Sequence, residues 1–84
     1  MYYSIKIQDK NGISKNYGLN FTQYSPSKHI IVEDVCIINI YKWHDHRYDI
    51  ECFFYKKKYI YYETNIHSKK ELYNKLQELL QKNL

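Results

Sequence analysis

Alanine is absent from this chain, proline and arginine each occur once, and glycine and cysteine occur twice each. Two glycines, Gly12 and Gly18, rule out a glycine-rich phosphate loop. Two cysteines, Cys36 and Cys52, are too few for a disulfide framework and lack CxxC spacing, so reduced thiols and a cytoplasmic location are expected. No apolar run approaches the ~18–20 residues that span a bilayer, so no membrane partner is expected. The opening MYYSIKIQDK has no apolar signal-peptide core. Histidine is also sparse. Zinc wants about four ligands in tetrahedral array, and His44 and His46 have only His29 and His67 to join them; no metal and no cofactor are expected. No paired carboxylates converge, although Glu51 and Glu63 are expected near one another on an open sheet surface. The chain is therefore read as non-enzymatic.

What is present is tyrosine, lysine and isoleucine. Eleven tyrosines and a net charge of +4 stand out in 84 residues, a length that fits one domain, 1–84. Lys, Ile, Asn, Tyr and Phe make up more than half the chain. Their codons are AT-rich, so genome bias accounts for part of the lysine and tyrosine excess, and such compact chains are common in phages and mobile elements of low-GC hosts.

Periodicity predicts an α+β domain: an antiparallel β-meander of about five strands, an N-terminal hairpin plus a three-stranded sheet, with one C-terminal α-helix packed on one face. MYYSIKIQ alternates as a strand, Asp9–Gly12 is a turn signal, and a second strand follows near Ile13–Tyr17. Ser25-Pro26-Ser27 is the clearest break. HIIVEDVCIINIYKW is one long strand or two joined at Glu33-Asp34. RYDIECFFY places Tyr48, Ile50, Cys52 and Phe54 on one face. Pairing Ile50 with Ile40 sets Cys52 against Ile38 and Phe54 against Cys36, with a three-residue loop at His44–His46; sliding by one would bury Asn39. The same rule pairs Phe54 with Ile60 and Cys52 with Tyr62 around a Lys56–Lys58 loop. Ser68-Lys69-Lys70-Glu71 is a helix-capping box, and Leu72, Leu76, Leu79 and Leu80 form the apolar stripe. Glu71–Lys75 and Glu78–Lys82 have favourable i,i+4 spacing.

Two surfaces follow. The face opposite the helix is expected to carry Ile37, Tyr41, Phe53, Tyr55, Tyr59 and Tyr61, too apolar for bare solvent; with the lysine loop Lys56, Lys57 and Lys58 it is the candidate partner-binding surface. One end of the sheet gathers Lys42, His44, His46, Arg47, Lys69 and Lys70, a candidate anion or nucleic-acid site. Lys69 and Lys70 sit in the first helical turn, where the macrodipole disfavours positive charge by roughly 0.3–1 kcal/mol each.

The segment from about Val35 to Leu80, with three antiparallel strands and a helix opening Ser68-Lys69-Lys70-Glu71, resembles the C-terminal part of a double-stranded-RNA-binding domain. The family's first helix has no counterpart here. The resemblance implies phosphate contacts by Lys69 and Lys70 and minor-groove contact by His44 or His46. Three readings stay open. One is an accessory factor of a phage or mobile element that binds and inhibits a host protein, including a nucleic-acid-handling complex (anti-CRISPR-like). The second is direct nucleic-acid binding, and the third is a homodimeric module.

Overall fold

A computed structural model describes residues 3–83; Met1 and Tyr2, where the first strand was expected to begin, lie outside them. Strands β1 (Ser4–Gln8) and β2 (Ser14–Gly18) form the N-terminal hairpin. The Asp9 carboxylate accepts from the Asn11 and Ile13 amides at 2.8 and 2.9 Å, and Gly12 adopts φ 82°. Alternation buries Ile5 and Ile7. Leu19, held by its amide to the Tyr3 carbonyl at 2.9 Å, is buried beside them.

A four-stranded antiparallel sheet follows in the order β3 (Ser27–Val32), β4 (Cys36–Lys42), β5 (Tyr48–Phe54), β6 (Tyr59–Ile66), and the chain closes with helix α1 (Lys69–Asn83). The α+β meander with one helix is as the periodicity indicated, with β3 as one strand more. The long apolar run divides at Glu33-Asp34-Val35, where Asp34 takes φ 61° and the Val35 amide bonds the Val32 carbonyl at 2.9 Å.

The β4–β5 register is Ile40 to Ile50, Ile38 to Cys52 and Cys36 to Phe54, as read from the sequence. All six side chains are buried. Trp43 and Arg47 close the three-residue loop through a 2.7 Å backbone bond, and His46 supplies the left-handed residue at φ 63°. The leucines Leu72, Leu76, Leu79 and Leu80 cover this face, joined in one core by Ile5, Ile7 and Leu19 of the hairpin side. The Ser68 hydroxyl caps the helix by accepting from the Glu71 amide at 3.1 Å. The Glu71 carboxylate reaches the His67 amide at 3.3 Å. Glu78 and Lys82 pair at 3.0 Å, but Lys75 turns away from Glu71 to Glu63, 3.8 Å away on β6.

The β5–β6 register departs from expectation. Tyr48 faces Ile66, consistent with the expected alignment, but a bulge then shifts the pairing by one, giving Cys52 opposite Tyr61 and Phe54 opposite Tyr59. Asn65 in the bulge has φ 59°. The connection becomes a four-residue loop, Tyr55–Lys58, closed by the Lys57 and Lys58 amides on the Phe54 carbonyl. Tyr59 and Tyr61 therefore lie on the helix side, and Ile60 and Tyr62 face outward. The physical reason is local: YIYYET is amphipathic on both faces, so pattern alone does not choose. A tyrosine at the edge of the core can bury its ring and keep its hydroxyl wet. Tyr61 does so, donating to Glu63 at 2.7 Å. Glu51 and Glu63 are consequently on opposite faces.

With few glycines, four left-handed positions among the described residues are filled by Asp34, His46, Lys58 and Asn65. Asn, Asp and His tolerate this conformation; lysine gains no local hydrogen bond from it. Lys58→Gly should stabilise the protein by about 0.5–1 kcal/mol, the relief of left-handed strain less the added unfolded-state entropy. Urea denaturation checks this, and an unchanged or lower midpoint would count against strain at Lys58.

Candidate functional site

The outward face of the sheet is built in rows that cross the strands. Nearest the lysine loop, Ile31, Ile37, Phe53 and Ile60 are successive cross-strand partners and form one apolar ribbon across all four strands. Tyr55 extends it, meeting Phe53 edge-on at 5.5 Å. Ile31 is 65% exposed, Ile60 49% and Tyr62 61%. Among the described residues, none of the ribbon's side chains belongs to the core or packs against it.

The next row is polar: His29, Asn39, Glu51 and Tyr62. The Asn39 amide nitrogen donates to Glu51 at 3.0 Å, which leaves its oxygen to accept from His29 Nδ1 at 2.6 Å. This chain of bonds fixes the His29 tautomer with hydrogen on Nδ1. The third row holds Ser27, Tyr41 and Asp49. Asp49 accepts from Trp43 Nε1 at 2.7 Å and from the Asn65 amide at 3.4 Å. Arg47 stacks over the Trp43 ring at 5.7 Å and reaches Asn65 Oδ1 at 3.4 Å.

Of the expected partner-binding residues, Tyr41, Phe53 and Tyr55 belong to this outward side. Tyr59 and Tyr61 do not, and Ile31, Ile60 and Tyr62 take their place. The residues missed were illegible for one reason: HIIV and YIYYET offer apolar groups to both faces. The charged members of the outward strand positions are Glu51 and Asp49, with no lysine or arginine among them. Carboxylates at the centre of the face repel phosphates, so stacked nucleic-acid bases do not suit it.

The basic residues of the two candidate sites are at the ends of the sheet. Because β5 starts opposite the end of β6, the His44–His46 loop and the helix start share one end of the sheet with Lys42, Arg47, Lys69 and Lys70. Lys56, Lys57 and Lys58 are at the other, about 20 Å along β5 at 3.3 Å per residue. His44, His46 and Lys70 are exposed. Arg47 is engaged by Trp43, Asn65 and, at 4.0 Å, Asp45. Among the described residues no three of His, Cys, Asp and Glu gather as for a metal ion.

Cys36 and Cys52 are diagonal neighbours in the core, both fully buried. Interaction with the Cys36 thiol, with burial adding, holds the Cys52 thiol far above the ordinary thiol range. A protonated thiol in an apolar interior is a poor nucleophile. An open cleft of about 540 Å³ lies between the N-terminal hairpin and the sheet, lined in part by Lys10, Asp34, Phe54 and Lys56. Its charged rim is self-satisfied where Lys10 meets Asp34 at 2.7 Å. Comparison with protein families, with curated proteins and with solved structures finds no match to this chain.

Proposed function

We propose that this chain is a non-enzymatic protein-binding domain whose contact surface is the open face of its four-stranded sheet. The observation that carries the reading is the ribbon Ile31–Ile37–Phe53–Ile60, which spans the sheet on the side away from the helix. Contiguous exposed apolar surface rimmed by polar groups marks protein contact, and aromatic groups are favoured in such contacts while central acidic groups limit nucleic acid. The composition supports an accessory factor of a phage or mobile element, acting in the cytoplasm by occupying a host protein in the manner of an anti-CRISPR-like inhibitor. Affinity capture with the wild-type chain and with a folded Phe53→Lys variant tests the reading. Partner protein should be retained by the first and lost from the second; equal recovery on both would overturn it.

A second reading, direct nucleic-acid binding, is favoured by the topology that sets the helix start beside the histidine loop. It predicts affinity for duplex RNA that falls steeply with salt and drops at least about tenfold in Lys69→Glu/Lys70→Glu. Gel-shift titration at low ionic strength measures this; no shift for the wild-type chain would eliminate it.

A further inference from the structure

We infer that the open face is self-complementary and that two copies of the chain stack on it, with the two-fold axis parallel to the strands. The inference rests on the reading of this face as a contact surface and makes a second copy its weak, reversible occupant when no other protein is bound.

Rotation about that axis keeps each row at its own height and exchanges β3 with β6 and β4 with β5. The apolar ribbon then meets itself: Ile31 lies over Ile60 of the second copy, and Ile37 over Phe53. In the polar row Glu51 lies over Asn39, and His29 over Tyr62. In the third row Asp49 lies over Tyr41, whose hydroxyl is a donor. No carboxylate faces a carboxylate, although the face of each copy carries two.

The ends of the strands agree. The turn between β3 and β4 is acidic, with Glu33 and Asp34, and the loop between β5 and β6 is basic, with Lys56–Lys58. Both are at the ribbon end of the sheet, on opposite halves of it. The same rotation brings the acidic turn of each copy to the basic loop of the other, twice. Asp34 is already paired with Lys10, so exposed Glu33 is the acid that would answer Lys57 or Lys58. A two-fold axis across the strands would instead lay the ribbon on the Ser27–Tyr41–Asp49 row, placing apolar groups against a carboxylate. Like charges opposed or carboxylates set on apolar groups cost affinity, so the first axis is selected.

The face is about 19 Å wide and about 20 Å long, from four strands at about 4.8 Å and a rise of 3.3 Å per residue. Two such faces bury less than the standard interface, in the range below about 1,200 Å² that characterises weak, reversible contacts. The pair should therefore dissociate on dilution.

Sedimentation velocity on the full chain from about 10 µM to about 1 mM reads the equilibrium, with monomer at the dilute end and dimer at the concentrated end. Phe53→Glu should weaken association by about a hundredfold or more. Ile31→Lys, on an edge strand and largely exposed, serves as a second variant should the first fail to fold. Glu33→Lys alone should weaken association about fivefold, and Glu33→Lys combined with Lys57→Glu and Lys58→Glu should restore it. A wild-type chain monomeric at about 1 mM would overturn the dimer and leave Phe53-dependent capture of another protein to be judged separately. Dimers that ignore Phe53 and Ile31 would place the contact elsewhere, for example along the β6 edge, and would equally overturn the proposal. Failure of the charge exchange to restore association would overturn the assigned axis.

Discussion

Replacing Leu76 by alanine should cost about 3–4 kcal/mol, as deletion of a fully buried leucine does when its surroundings relax only partly. The side chain has no exposed surface, and its stripe is the cover that α1 places over Ile50, Cys52 and Phe54. A chain of this length has a total stability of roughly 4–12 kcal/mol, so the loss is a large share of it. The melting temperature should fall by about 12–25 °C. Gln81→Ala, on the exposed side of the same helix, should stay within about 0.5 kcal/mol of wild type. Urea denaturation followed by circular dichroism measures both. A Leu76→Ala loss under about 1 kcal/mol would mean that the helix is not the lid of this core.

Tyr61→Ala should cost about 2–3 kcal/mol, from a partly buried ring and a lost hydrogen bond, whereas Tyr62→Ala should change stability by less than about 0.5 kcal/mol. The two residues are adjacent and chemically identical, so the difference reports only which face each occupies. The register expected from the loop rule would reverse the outcome. A pH scan supplies a second readout. The bond to Glu63, with burial adding, pushes the Tyr61 phenol up to about 12. A folded value above the unfolded one near 10 means that the stabilisation is whole below about pH 10 and is lost as pH rises through about 12. Stability should therefore fall across that window in wild type and fall less in Tyr61→Phe.

These two experiments mark the boundary of what was legible beforehand. Leucines at 72, 76, 79 and 80 leave one helical face to bury, and Tyr48, Ile50, Cys52 and Phe54 alternate with Asp49, Glu51 and Phe53, so helix, strand and inward face could all be argued from spacing. The Ile40–Ile50 register was legible too, because a slip would bury Asn39. The docking surface was only half legible. Phe53, Tyr41 and Tyr55 could be placed from β4 and β5. A three-residue lysine loop places Tyr59 and Tyr61 outward, whereas the chain uses a four-residue loop and recovers the count at the Asn65 bulge.

By itself the sequence determined the class of fold, the helix and its cap, the central hairpin and its cysteine-lined face, since each rests on contrast between polar and apolar neighbours within a few residues. Only the tertiary structure decided the outer strand registers, the membership of the exposed ribbon and the bonded row from His29 to Glu51. Those depend on the length of a turn and on a backbone bulge, and apolar residues on both faces of β3 and β6 carry no local contrast to announce either.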